Sequence, residues 1–202
     1  MHITIQGGKV EEFQKLGVEA MRILSVDCST NSMAFALFEE SKLVRWGEIT
    51  FGKGDIYHRM NNANRVVNRM VDNGYFDDID LVAFEGAIFM NSRKTVIDLS
   101  YAFGSAMAPL FAPGVRVESV PAIVWQKGTG NPPLTKAEKE ELQKRHPGKS
   151  KSWYSNKGRE FRKERSKDNV RRIYGVEVPN DNVSDAIMLG TYIAEKVIKS
   201  GN

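Results

Sequence analysis

Two compact apolar runs, 22–28 and 33–38, flank the polar quartet Ser29-Thr30-Asn31-Ser32. Short apolar runs bounded by turn residues predict buried strands. A third segment, 42–51, alternates roughly between apolar and polar positions, so the three strands make an antiparallel meander. A polar helix is expected over 55–73, ended by Gly74, followed by a fourth, buried strand over 80–85. Residues 93–111 predict a helix whose Ala102, Gly104, Ala106 and Ala108 permit close packing, against the sheet or against a second subunit. Pro113-Gly114 breaks the chain before a fifth strand over 115–120. Residues 128–155 are rich in Gly, Pro, Lys and Ser and predict a long loop with a short helix near 136–144. A basic helix over 157–174 and a last helix over 185–199 complete the pattern. Residues 1–20 form an N-terminal extension that could add an edge strand (Ile3-Thr4-Ile5) and a short helix (9–16); no chemistry is assigned to them. Residues 21–202 are expected to be a single domain.

A chain of 202 residues, 41% hydrophobic and 27% charged, has an ordinary globular composition and enough length for a real core. No apolar run approaches the ~18 residues of a membrane span, and the first residues lack the basic start and apolar core of a signal peptide. The single cysteine, Cys28, fits a reducing cytoplasm and reads as a small buried hydrophobe in a strand. Charge alters this plain picture. Residues 127–172 carry 15 Lys or Arg against 6 Asp or Glu, out of chain totals of 29 and 25, so the rest is acidic overall. Clustered cations displace counterions from phosphates, which makes this segment a candidate nucleic-acid surface; the alternative is a solvated loop without a partner.

The candidate chemistry lies in three acids. Asp27 ends the run Ile23-Leu24-Ser25-Val26, Glu85 ends Leu81-Val82-Ala83-Phe84, and Asp185 begins Ala186-Ile187-Met188-Leu189. Taken singly, each has a structural reading, as a turn residue, an exposed strand end and part of a helix cap. Together they suit Mg²⁺, a hard cation that prefers oxygen ligands. Three antiparallel strands, helix, strand, helix, strand and closing helix is the layout of the ribonuclease H-like fold, an α/β fold. Its five-stranded mixed sheet has three antiparallel strands, then parallel ones, flanked by helices. In that layout the first and fourth strands are neighbours, which brings Asp27 and Glu85 together with Asp185 reaching in from the last helix. Phosphodiester hydrolysis needs an activated water, a shielded phosphate and a stabilised leaving oxyanion, which two divalent ions about 3.5–4 Å apart supply.

The motifs resemble those of RuvC-type Holliday-junction resolvases, particularly the phage-encoded branch. Ile23 to Ser29 is similar to the family's first strand and first catalytic Asp, and Phe84-Glu85-Gly86-Ala87-Ile88-Phe89-Met90-Asn91 to its second motif. The segment 99–108, with Gly104, resembles the following helix; 117–127 resembles the strand, Pro and Trp-Lys region; and Asp185-Ala186 resembles the closing pair. The similarity spans about 22–199. It implies a Mg²⁺-dependent endonuclease (two ions, Mn²⁺ substituting, no nucleotide cofactor) that acts as a homodimer on branched DNA, specifically the four-way junction. It further implies a 5′-phosphate and 3′-hydroxyl product and the cytoplasm of a bacterial or phage-infected host cell. Asp27 would bridge both ions, with Glu85 and Asp185 completing one site each. The family usually has a further acid or a His three residues before the closing Asp, where this chain has Asn182; Asp181 lies one residue earlier. Both positions share a helix face with Asp185. Asp181 is slightly favoured as the fourth ligand, Asn182 could ligate through its carbonyl oxygen, and either could instead cap the helix.

Lys127 and Lys167 are the nearest matches to the family's catalytic lysines. Arg159, Arg162, Lys163, Arg165, Lys167 and Arg171 are expected to anchor phosphates, and Phe89 could stack on an unpaired base. Among the rivals, Asp27-x-Ser29-Thr30-Asn31-Ser32 also resembles the phosphate loop of actin-like ATPases, but 202 residues leave no room for the two domains such proteins need. A broader nuclease of the same fold, cutting flaps, forks or RNA–DNA hybrids, and a non-catalytic DNA-binding relative are the remaining alternatives.

Overall fold

The computed structural model describes residues 3–7, 20–86 and 92–200. Six strands form one sheet: β1 (Ile3–Gly7), β2 (Arg22–Cys28), β3 (Ser32–Glu39), β4 (Lys42–Thr50), β5 (Leu81–Glu85) and β6 (Arg116–Val120). Their order is β1-β4-β3-β2-β5-β6. The meander β2-β3-β4 is antiparallel, β5 and β6 join β2 in parallel, and β1 pairs antiparallel with β4. The five expected strands are therefore present in the expected arrangement, and the residues that could add an edge strand supply a sixth. The short helix expected over 9–16 lies outside the described residues.

Alternation along β2 sorts its side chains between two layers of helix. Leu24, Val26 and Cys28 pack with α1 (Ile56–Asp72) and α2 (Arg93–Met107), alongside Val67, Ala102 and Ala106. Ile23 packs on the other face with α6 (Asp181–Ser200), where Ala186, Ile187 and Leu189 are buried. Ser25 shares that second face; its Oγ lies 2.7 Å from the carbonyl oxygen of Ala186. α6 comes this close because residue 190 is glycine: a Cβ there would stand 2.2 Å from the Phe38 ring and 2.5 Å from Ser25 Oγ.

The segment 128–155 is more regular than its composition suggests. α3 (Ala122–Gly128) precedes it, and α4 (Lys136–Arg145) lies inside it as expected. α5 (Lys151–Tyr174) begins six residues before the expected start. Capping explains both: Thr135 and Glu138 form a reciprocal capping box on α4, and Ser150 Oγ accepts from Trp153 N at 3.2 Å at the head of α5. Gly175, at φ +67°, closes α5 in the left-handed conformation. The expected helix over 93–111 ends at Met107 and continues as a 3-10 turn, Ala108–Leu110, where Pro109 interrupts regular α-helical bonding. No helix among the described residues is long and apolar enough to cross a membrane.

Candidate active site

Strand pairing positions the first two acids. β2 and β5 run parallel in register, Val26 beside Phe84, so Asp27 and Glu85 follow at the same end of neighbouring strands. The third acid comes from α6, which starts at Asp181 rather than at the expected Asp185. Asp185 thus sits one turn inside the helix, five residues before the glycine that lets α6 touch the sheet. Asn180, not Asp181 or Asn182, provides the cap: its Oδ1 accepts from Val183 N at 3.0 Å.

Burial first, and mutual repulsion after it, acts on these acids. Burial pushes the Asp27 carboxyl up to about 8, reinforced by the negative charges of Asp185, Glu85, Asp181 and Glu48. Burial likewise raises Asp185 to about 6, opposed by a hydrogen bond from Ser166 Oγ at 2.7 Å. Glu85 is raised by burial, against a 3.0 Å bond from Trp125 Nε1 and the positive charge of Arg162. At Asp181 burial acts upward, but the Lys163 ammonium paired with it brings the carboxyl below its ordinary value. Asp27 alone among these four has no hydrogen-bond donor among the described residues. Cys28, beside it, is pushed up to about 12 by burial and by Asp27, so its thiol stays protonated and inert as a nucleophile.

Glu48 was not legible as part of this cluster. It reaches the Asp27 face through two strand pairings, Asp27 opposite Ala34 and Ala34 opposite Glu48. Its carboxylate accepts from Asn180 Nδ2 at 2.6 Å and from Asn182 Nδ2 at 3.0 Å. The Asn182 amide is thereby turned toward Glu48, while Asp181 faces Lys163. Trp125 and Ser166 were also missed as partners of the acids. One face of α5 makes this side of the site: Lys163 meets Asp181, Ser166 meets Asp185, Val170 enters the core, and Tyr174 Oη lies 2.9 Å from Thr191 Oγ1. The spacing is that of a single helical stripe.

The basic residues divide. Lys163 pairs with Asp181, and Arg162 acts on Glu85 while donating to Gln126 Oε1 at 2.9 Å. Lys167 pairs with Glu164 at 3.0 Å and adds its charge to the field at Asp181. Lys127 is exposed on α3, two residues past Trp125 and so about 200° around the helix from the side that bonds Glu85. No bond among the described residues joins it to the acids. Arg165 is held by Glu138 at 2.9 Å, and Arg171 by Asp168 and Glu177. Arg159 is exposed, and Phe89 lies outside the described residues.

Among the described residues no three acidic, His or Cys side chains stand close enough to enclose an ion as they are. Their chemistry nevertheless suits one. The donors are carboxylate oxygens, as Mg²⁺ prefers, and Asp27 is a half-buried carboxylate surrounded by negative charge with no donor of its own. A cation would relieve that repulsion directly.

No protein-family model and no curated protein matches the chain. Solved structures do. The structure of T. thermophilus RuvC in complex with a Holliday junction substrate matches with a TM-score of 0.61 at 14% identity, over 89% of this chain and 96% of that one. The Thermus thermophilus RuvC structure matches with a TM-score of 0.58 at 13% identity, over 89% and 97%. The chain therefore has the ribonuclease H-like fold of RuvC across nearly its whole length.

Proposed function

We propose that the chain is a divalent-metal-dependent DNA endonuclease that resolves four-way junctions. The convergence of Asp27, Glu85 and Asp185 at one end of a RuvC-like sheet, with Asp27 left without a donor, is the observation that carries this reading. Asp27 would hold both ions of a Mg²⁺ pair, with Glu85 and Asp185 completing one site each and Asp181 assisting. Such a pair supplies activated water and neutralises charge on the phosphate and the leaving oxygen.

The surrounding residues orient and tune the acids. Trp125 fixes the direction of Glu85, and Ser166 that of Asp185. Lys163 keeps Asp181 ionised and is placed to exchange that carboxylate for a phosphate oxygen, which makes it a better candidate than Lys127 for the catalytic cation. The basic segment over 127–172 would carry the arms of the junction.

Paired cuts in a junction call for two active sites facing two strands. The outer face of α2 supports a homodimer: Val96, Ile97 and Tyr101 are 37%, 50% and 42% exposed. Gly104 adds open space beside them. Substituting Asp27→Asn tests the division of labour. Cleavage with Mg²⁺ should fall by about three orders of magnitude or more, as for removal of a group the chemistry requires, while junction affinity stays the same. Retained cleavage, or lost affinity in a folded variant, would remove Asp27 from its proposed role.

A further inference from the structure

α4 and α5 enclose a groove of about 550 Å³. Its charged lining consists of Lys139, Lys151, Arg159 and Arg162, with no acidic residue among the lining side chains. The contrast with the rest of α5 is sharp. Lys157, Arg165, Lys167 and Arg171 are each bound to a glutamate of this chain. Lys139, Lys151 and Arg159 form no ion pair among the described residues. The groove thus concentrates cations that the fold leaves uncompensated. Its floor is different in kind: Leu134, Leu142 and the Tyr154 ring line it, and Tyr154 is held in place by its hydroxyl's bond to the carbonyl oxygen of His146. Gly158 keeps the floor open, since a Cβ there would press on Leu134 Cδ1 at 3.3 Å.

Cations around an apolar and aromatic floor match a nucleotide, whose phosphate is anionic and whose base and sugar offer flat or apolar surface. The volume lies in the range of small-molecule pockets, roughly 300–1,000 Å³, too small for a duplex to enter. Arg162 ties the groove to the acids. Its side chain lines the groove, bonds Gln126 beside Trp125, and adds positive charge at Glu85.

We propose that this groove binds an unpaired nucleotide of the DNA strand that continues from the cleavage site. The inference rests on the nuclease reading of the acids and adds to it a second contact, selective for single-stranded character next to the cut. A junction whose strands separate at the crossover presents such nucleotides, and an uninterrupted duplex does not.

The test uses the full chain carrying Asp27→Asn, so that binding is read without cleavage, and two junctions that differ only in two unpaired thymidines at the crossover. The unpaired junction should bind about tenfold more tightly. Two variants should erase that preference, read as the ratio of the two affinities, and the charge-preserving one should also leave affinity for the fully paired junction nearly unchanged. The first is Lys139→Ala/Lys151→Ala, which removes cations. The second is Ser155→Trp, which fills the groove from an exposed position and keeps every charge. In the same background, 4-thiothymidine at the unpaired position should photo-crosslink to the peptide containing Tyr154. Equal affinity for the two junctions, or a preference that survives Ser155→Trp in a protein with an unchanged melting curve, would overturn the groove proposal. Junction cleavage by the unsubstituted chain would stand independently, so failure of the groove and failure of the nuclease reading are distinguishable.

Discussion

Asp27 and Asp185 sit where their protonated forms are favoured, with carboxyls raised to about 8 and about 6 from an ordinary 3.8. The folded chain therefore holds protons that the unfolded chain releases. In the metal-free protein these two groups cost no stability below about pH 4, and an increasing amount as pH rises from there to about 8. Thermal melts in EDTA should accordingly show lower stability at pH 8 than at pH 5. Asp27→Asn should flatten that decline, and Mg²⁺ at pH 8 should reverse it. A melting temperature that rises from pH 5 to pH 8 in EDTA would contradict the burial of these acids. Asp27, Glu85 and Asp185 were legible in the sequence because an acid at the end of an apolar run departs from the local pattern. Glu48 was not, because an acid in the alternating strand 42–50 looks like any solvent-facing position. Only the Asp27–Ala34–Glu48 register shows that it shares the face of the acids. Ser166 was hidden for a related reason, since its partner lies 19 residues away on another helix.

At the scale of elements, the approach of α6 to the sheet decides where Asp185 stands. Gly190 permits it, and the Ser25 hydroxyl bonds the α6 backbone at Ala186. Gly190→Ala would drive a methyl group into Phe38 and Ser25. It should lower stability by roughly 1–3 kcal/mol, as overpacking of a core does, and should weaken cleavage by shifting Asp185 away from Asp27. Urea denaturation measures the first effect, and a variant as stable as the parent would show that α6 is free to move outward. The strands were readable because their apolar runs are short and separated by turn residues. Between 122 and 155, α4 stands where the sequence places it, whereas α3 is not expected from the sequence and α5 begins six residues early. Order in α4 and at the head of α5 rests on caps and on few buried contacts. Thr135, Glu138 and Ser150 fix helix starts through single hydrogen bonds, and Leu142 is the only buried residue of α4. A composition rich in Lys, Gly and Pro conceals such signals unless the capping pattern is weighed ahead of it.

At the scale of the molecule, the sheet separates two surfaces of different chemistry. One bears the acids, the Lys163 side of α5 and the cation-lined groove. The other bears α2, on which Ile97 and Tyr101 are exposed. If α2 seats a second copy, Ile97→Glu should yield a monomer in sedimentation with unchanged secondary structure, and paired cutting should give way to single, uncoordinated nicks. A dimer that survives this substitution would place the interface elsewhere. The fold was legible as a whole because strand order, helix positions and acid positions all agreed with one topology. Dimerisation and substrate choice were not, since they depend on surfaces that short motifs do not describe.

The decisive measurement is cleavage of a synthetic four-way junction, labelled on each strand in turn, beside a matched linear duplex, a flap and an RNA–DNA hybrid, with Mg²⁺ and with EDTA. Metal-dependent nicks placed symmetrically on two opposing strands of the junction, with the duplex left intact, are expected. Equal or better cutting of flaps or hybrids would contradict the junction assignment while leaving a nuclease. No cutting of any substrate with Mg²⁺ or Mn²⁺ would contradict the nuclease itself.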